Sequence, residues 1–351
     1  MTKKVDEHWM GRALVEARRG IGLTSPNPPV GAVIVKEGRE IACGWHQKSG
    51  QLHAERKALA GLKCGEATDA TIYVTLEPCS THGRTGACSQ ALIDAGISRV
   101  VYGARDPNPD HAGRADAILR AAGIKVTPGV LEAECHQVIR GFAMVQTAGR
   151  PWVIAKTAMS LDGRITRPPG EGSWLTGEDG REEVQILRSE VDAILTSGAT
   201  VRADDPALTL RSKALSPGKE QPWRVVLSET ERDWSQFRLF RDEHAARTLL
   251  YTGLLKYDVL RTLAKDHGVC QVLLEAGGRL LGSFHDEGLI DEWVIYLAPM
   301  VTGGSQVALG GEGAMVLEER LGLIDVSLHR VGRDLCARGV VDRSGARQLE
   351  R

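Results

Sequence analysis

Hydrophobic positions along the chain change their period from one segment to the next. Val5, Trp9, Ala13, Leu14 and Ala17 recur at helical spacing, and Gly20 and Gly22 end that run. Val30 to Val35 follows as a short apolar strand. Residues 71–76 (Thr-Ile-Tyr-Val-Thr-Leu) and Ser98 to Tyr102 read as two more, rich in β-branched residues. Between and after them, residues 53–62, 87–95 and Ala115 to Ala122 carry the helical pattern. Strand and helix therefore alternate through the first half, which predicts an α/β fold with helices covering a largely parallel sheet.

Gly149-Arg150-Pro151 punctuates the chain near its middle, and the alternation then starts again. Strands are predicted at 151–156, 191–195, 223–227, 247–251, 270–275 and 292–298. Helices are predicted at 178–189, 256–266 and 279–287, and 324–341 reads as two closing strands. Residues 211–222 form a Pro/Ser/Lys loop, and the last ten residues are polar and read as frayed. No internal repeat is visible. The length, 351 residues, suits two domains, and 42% apolar content lets each build its own core.

Charge narrows the possible partners. The formal net charge is −1 with acids and bases interspersed, so no basic block marks a nucleic-acid surface. Met1 to Met10 is polar and charged, unlike a signal peptide, and no apolar run is as long as a membrane span. Seven cysteines form an odd set without a compact framework, which points to a reducing cytoplasmic compartment. Cys43, Cys64, Cys135, Cys270 and Cys336 read as small buried hydrophobes.

The other two cysteines carry chemistry. His53-Ala54-Glu55 opens a predicted helix, Pro78-Cys79 ends a predicted strand, and Cys88 begins another helix. One imidazole and two thiolates make three zinc ligands, and three rather than four is the pattern of a catalytic site with a place left for water. Glu55, two residues from His53, can carry protons for that water, which is the chemistry of hydrolytic deamination of an amine-bearing ring. The triplet alone and the Cys-x8-Cys spacing alone are weak signals; their order along the strands and helices makes them strong together. A structural zinc site would ask for a fourth protein ligand, which His82 could supply. A nucleic-acid-editing deaminase with an appended nucleotide-binding domain is the main alternative, although the balanced charge and few aromatic residues disfavour it.

These residues resemble the bifunctional deaminase/reductase family of riboflavin biosynthesis, whose first half is similar to cytidine deaminases. The resemblance covers nearly the whole chain. It rests on Ser25 to Gly31, His46, residues 75–88 (TLEPCSTHGRTGAC) and Asp106-Pro107-Asn108-Pro109 in the first half. In the second half it rests on 156–165 (KTAMSLDGRI), Ser173 to Thr176, 187–211 and 273–283. It implies a cytidine-deaminase-like three-layer domain over 1–148 and a dihydrofolate-reductase-like domain over 149–351. It also implies two reactions: zinc-dependent deamination of 2,5-diamino-6-ribosylamino-4(3H)-pyrimidinone 5′-phosphate, then NADPH-dependent reduction of the ribosyl to a ribityl group. The partner is then a small phosphorylated pyrimidine, without nucleic acid or membrane, and the family pattern implies a homo-oligomer paired through reductase domains.

By the same resemblance, Asn27, His46, His82, Arg84, Asp106 and Asn108 line the pyrimidine pocket or hold its phosphate. Asp106 and Asn108 equally suit a plain turn. Ala158, Trp174, Thr200, Asp204 and the stretch Gly277, Gly278, Arg279, Leu280, Leu281, Gly282 and Ser283 would contact NADPH. Gly172, Arg188, Leu208, Arg211 and Glu275 would hold the reductase substrate, with a solvated helix face as the plain alternative for Arg188. No GxGxxG motif follows the first strand of this half, which disfavours a Rossmann dinucleotide site; the glycine turns at 196–200 and 277–282 can instead aim backbone N–H groups at phosphate. Lys156, Asp204 and Glu275 are candidates for the reductase proton donor, with Lys156 aided by Glu275 preferred. The sequence departs from the family at Thr81, Gly86-Ala87, Gly172 and Ser228-Glu229.

Overall fold

The computed structural model describes residues 2–80, 86–109, 111–165, 174–211, 219–316 and 320–344. The chain divides into two compact units, Met1–Arg150 and Pro151–Arg351. No helix of the described residues is long and apolar enough to cross a membrane.

The first unit runs α1 (Lys3–Arg18), β1 (Gly31–Lys36), β2 (Arg39–Trp45), α2 (Ala54–Leu59), β3 (Thr71–Leu76), α3 (Cys88–Asp94), β4 (Arg99–Ala104), α4 (Arg114–Ala121), β5 (Lys125–Thr127) and α5 (Glu132–Ala148). Its sheet has the order β2-β1-β3-β4-β5. β3, β4 and β5 are parallel, but β1 pairs antiparallel with both β2 and β3. The sheet is therefore mixed rather than largely parallel. The difference comes from β2, which the pattern missed. Glu37 and Gly38 both adopt positive φ (53° and 75°), the geometry of a tight two-residue hairpin. The strand after that turn is a partly exposed edge without clean alternation. α5, β5 and the helix α7 described below are likewise absent from the prediction.

Helices cover both faces of this sheet. α1 buries Met10, Ala13, Leu14 and Ala17 at i, i+3, i+4 and i+7. It lies so close to β1 that a Cβ on Gly31 would stand 2.1 Å from the Ala13 carbonyl oxygen. The next position, Ala32, faces the other way and pairs with Gly44. A Cβ on Gly44 would stand 2.6 Å from Ala58 N and 2.7 Å from the Ala54 carbonyl oxygen, so α2 rests directly on β2 there. Asp6 pins α1 to the sheet: Arg99 donates to both its oxygens at 2.8 Å and Tyr73 Oη donates at 2.9 Å. Those partners hold its carboxyl below the usual range against the opposing effect of burial.

The second unit comprises β6 (Trp152–Ser160), α6 (Glu178–Ser189), β7 (Ala193–Ser197), α7 (Gly198–Asp204), β8 (Trp223–Ser228), β9 (Thr248–Thr252), α8 (Lys256–His267), β10 (Gln271–Glu275), α9 (Gly278–Asp286), β11 (Glu292–Ala298), β12 (Leu323–Val331) and β13 (Asp334–Val341). The sheet order is β12-β13-β11-β6-β10-β7-β8-β9. The strands from β11 to β9 are parallel, while β13 and β12 run antiparallel at one side. Val153, Ala155, Val272 and Leu274 pack under α8 and α9; Ile154 and Leu273 pack with Val184, Leu187 and Val201 of α6 and α7. Burial on both faces explains why these strands read as continuous apolar runs. Period-two continuation puts Lys156 and Glu275 on the α6 side, at the carboxyl ends of β6 and β10. From β6 the chain proceeds towards β7 on one side and later returns to β11 on the other, and ligands bind at such a reversal in open α/β sheets.

Because α2 carries both His53 and Glu55 at its start, its seat on β2 sets the first site. Gly44→Ala is expected to lower stability by about 1–3 kcal/mol and to reduce zinc retention, read by thermal unfolding and metal analysis. Unchanged melting and unchanged zinc content would show that α2 tolerates the displacement.

Candidate active sites

In the first unit three loop-to-element junctions meet. His53 is the N-cap residue of α2, Cys79 follows β3, and Cys88 is the first residue of α3. His53 Nδ1 stands 3.4 Å from Cys88 Sγ and 3.6 Å from Cys79 Sγ, and the three donor atoms lie within 4.8 Å of one another. A tetrahedral zinc with ordinary Zn–N and Zn–S bonds separates nitrogen from sulfur by about 3.5 Å. The donor set fits the ion in spacing as well as in chemistry. Its electrostatics point the same way. The Cys79 thiol is pulled down to about 4, chiefly by hydrogen bonding from Cys88 and also from His53 and the Cys88 backbone N–H, which lies 3.3 Å from its sulfur. The Cys88 thiol is pushed up because that neighbouring thiolate and burial oppose a second negative charge. Holding both as thiolates takes a dication.

Glu55 is 3% exposed beside these sulfurs. Burial first, and the Cys79 charge second, raise its carboxyl to about 7, the range suited to a group that takes and returns a proton near neutrality. His46 is buried with its ring edge-on to His53, centroids 5.4 Å apart. It donates from Nδ1 to the Leu52 carbonyl at 3.0 Å, which leaves Nε2 to accept from Asn27 Nδ2 at 3.1 Å. Burial lowers its pKa, which favours this neutral form. Asp106 accepts from Asn108 N at 2.9 Å, so its carboxylate closes a turn in this structure. His82 and Arg84, with Thr81, lie outside the described residues. Glu77 is a residue the sequence reading passed over. Its buried Oε2 accepts from Gly113 N at 3.0 Å and Asp106 N at 3.4 Å, anchoring the loop that carries Asp106 and Asn108. An acid directly following an apolar strand and preceding proline was the available signal.

In the second unit Lys156, Arg188 and Glu275 converge. Arg188 Nε and Nη2 donate to the two Glu275 oxygens at 2.6 and 3.1 Å, and Lys156 Nζ lies 3.7 Å from Oε2. Arg188 is buried rather than on a solvated helix face, and its Nη1 donates to the Thr209 carbonyl at 3.4 Å. Its guanidinium is thus already engaged with protein groups. Burial alone would raise the Glu275 carboxyl, but Arg188 and Lys156 hold it at about 2. Burial lowers Lys156, against the pull of Glu275.

The glycine turns are joined. Ser197 Oγ caps α7 by accepting from Thr200 N at 3.0 Å, and Thr200 Oγ1 accepts from Gly277 N at 3.3 Å. Residues 278–283 begin α9, within the helix expected at 279–287, and Gly277 is its N-cap residue. Gly278 and Gly282 serve close packing, since a Cβ on either would stand 2.2 Å from the backbone at Val307 or Gly310. Leu281 is in the core, Leu280 is partly buried against it and Ser283 is half-buried, while Arg279 is exposed and paired with Glu229. Ala158 lies in β6 opposite Tyr296, and Trp174 is half exposed with the Arg181 guanidinium 5.7 Å from its ring. Asp204 ends α7 on the exposed side, and no hydrogen bond or ion pair joins it to Lys156 or Glu275. Leu208 is buried at φ 47°, a strained conformation for this residue type. Arg211 donates its backbone N–H to Gln185 and leaves its side chain exposed. Gly172 lies outside the described residues, as do 212–218 of the 211–222 loop and the polar stretch from 345 onward.

Comparison with known proteins finds a match in each unit. Residues 3–104 match the cytidine and deoxycytidylate deaminase zinc-binding region, and residues 151–337 match the RibD C-terminal domain. The chain is 42% identical over 328 residues to riboflavin biosynthesis protein RibD of Escherichia coli (strain K12), covering 85% of this chain and 89% of that protein. It is 38% identical to RibD of Actinobacillus pleuropneumoniae, with 94% of each covered. The fold is similar to Acinetobacter baumannii RibD, form 1, with TM-score 0.88 at 36% identity, covering 97% of this chain and 100% of that one. It is also similar to a Thermotoga maritima diaminohydroxyphosphoribosylaminopyrimidine deaminase/5-amino-6-(5-phosphoribosylamino)uracil reductase, with TM-score 0.87 at 32% identity, covering 97% and 99%.

Glu275 makes the second unit acid-sensitive. Its folded pKa of about 2 lies below the ordinary 4.5, so its stabilisation is present above pH 4.5 and is lost as pH falls towards 2. The shift corresponds to about 3 kcal/mol. In denaturant unfolding, the parent is expected to exceed Glu275→Gln at neutral pH, and the gap should narrow across this window; a constant gap would remove Glu275 from the acid response.

Proposed function

The chain belongs to the RibD family of riboflavin-biosynthesis proteins, and we propose that its two units act in turn on one phosphorylated pyrimidine. It is a bifunctional enzyme with a zinc-dependent deaminase and a reductase that uses a nicotinamide cofactor. In this reading residues 1–148 deaminate 2,5-diamino-6-ribosylamino-4(3H)-pyrimidinone 5′-phosphate at C2. Residues 149–351 then reduce the ribosyl group of the product to ribityl, with NADPH as the form of the cofactor. The carrying observation is the convergence of one imidazole and two sulfurs at tetrahedral spacing beside a buried carboxyl.

His53 Nδ1, Cys79 Sγ and Cys88 Sγ would hold zinc, which when bound lowers the pKa of water to about 7 and so supplies the nucleophile. Glu55 takes a proton from the attacking water and passes protons to the ring nitrogen and then to the leaving amine. Water adds, ammonia departs, and an oxo group replaces the amine at C2. The neutral His46 and the amide of Asn27 offer polar groups for the ring edge, and His82 and Arg84 add a cation for the phosphate.

In the second unit a bound nicotinamide would supply the hydride needed at C1′ of the ring-opened sugar. Lys156 delivers the proton to the neighbouring heteroatom. Glu275 stays ionised at neutral pH, so its part is to position Lys156 rather than to donate. The joined turns at Thr200 and Gly277 support a place for the cofactor's phosphates, with Ala158, Trp174 and Asp204 along its length. The exposed side chain of Arg211 remains available for the substrate phosphate.

A homo-oligomer formed through β12 fits the same reading. Leu323, Ile324, Val326 and Leu328 are 37, 47, 54 and 76% exposed along this terminal strand of the sheet, with Leu335 of β13 beside them at 46%. An apolar edge of this kind is covered in working proteins. We place the enzyme in the cytoplasm, in keeping with the thiols of Cys79 and Cys88 gathered at one site with His53.

With the diaminopyrimidine phosphate as substrate, Glu55→Gln should release ammonia at least about a hundredfold more slowly while keeping zinc. Lys156→Met should leave ammonia release intact and slow NADPH oxidation by a similar factor, and NADH should replace NADPH poorly. Parent rates from either variant would remove that residue from its step. Leu328→Asp should lower the mass measured by light scattering to that of one chain; an unchanged mass would move the interface away from β12.

A further inference from the structure

A second group of metal-ligating side chains lies in the second unit. Tyr296 of β11, Cys336 of β13 and His329 of β12 are directly paired across three neighbouring strands, so they share one face of the sheet. Glu183 of α6 reaches down onto that face. Its Oε1 accepts from Tyr296 Oη at 3.1 Å, and His329 Nε2 lies 3.2 Å from both its carboxylate oxygens. The ligand atoms of Glu183, His329 and Cys336 all lie within 4.8 Å of one another. The sequence reading took Cys336 for a plain core cysteine, and it is indeed 1% exposed; the register is what brings an imidazole and a carboxylate over it.

We propose that Glu183, His329 and Cys336 form a second binding site for a divalent ion of the zinc class. One thiolate, one imidazole and one carboxylate make a borderline donor set that suits zinc or cobalt and disfavours magnesium or calcium, which take oxygen ligands. The His329 side chain is 48% exposed, so the ion has a path from solvent and a fourth position for water. On binding, the S–H proton leaves to solvent as the sulfur–metal bond forms. Dication, thiolate and carboxylate then sum to zero charge, and Tyr296 Oη remains to orient the carboxylate from outside. The ion would clamp α6 to the β12–β13 hairpin. α6 also carries Arg188, so the site braces the helix that holds Glu275. It stands apart from the deaminase zinc and does not depend on either proposed reaction.

The test uses the full chain, saturated with zinc and then dialysed against metal-free buffer. The parent should retain about two zinc ions per chain, and His329→Ala and Cys336→Ser about one each. His329 is at the surface, so its variant reports binding even if the core substitution at Cys336 hinders folding. After cobalt exchange, the thiolate-to-cobalt absorption should fall by about a third in Cys336→Ser, since one of three ligating thiolates is lost. One zinc per chain in the parent, or two in the His329 variant, overturns the proposal.

Discussion

Neither candidate site can be understood without asking how charge is balanced away from water. In the first unit two cysteines and a glutamate lie together beside the imidazole of His53. Ionising all the acids there without a cation is prohibitive, so the protein alone reaches a compromise with one low thiol and one high one. A divalent ion resolves the conflict, and the spacing of the donors is the spacing it imposes. The second unit solves the reverse problem. One buried carboxylate meets two cations, and the local excess of one positive charge suits a substrate that arrives as an anion.

The scaffolds differ in the same spirit. The first site is assembled from the starts of two short helices and the end of a strand, and glycine at the helix–sheet contact brings its parts close enough. The second is assembled on strand ends at a reversal of sheet order, where side chains from β6 and β10 already point the same way. Helix starts and a strand end furnish the first constellation; two adjacent strands and one helix furnish the second.

Much of this was legible in the residues. Continuous apolar runs announced the doubly covered strands, and β11 and α6 fall where the pattern put them. The triplet at His53, with Cys79 and Cys88, named the ion because its ligand types are restrictive. What escaped were features whose physics is not periodic. β2 is an edge strand whose register depends on two positive φ values. Glu77 acts through backbone N–H groups that no side-chain pattern reveals. Arg188 looked like a ligand for phosphate or solvent, and only the fold shows it turned inward to Glu275. Gly278 and Gly282 resembled a phosphate turn because close packing and phosphate binding ask for the same missing Cβ.

The position of β6 has a consequence for how the second unit comes into being. This strand is the first of its sheet to be made, yet its two neighbours are β10 and β11, separated from it by more than a hundred residues of chain. Contacts so distant in sequence delay folding, because the loop must close before any pairing is gained. The first unit pairs mostly neighbours and can settle early during synthesis. Nascent β6, by contrast, must wait with both edges open until β10 and β11 emerge. That interval is when the chain is most exposed to mispairing with other copies.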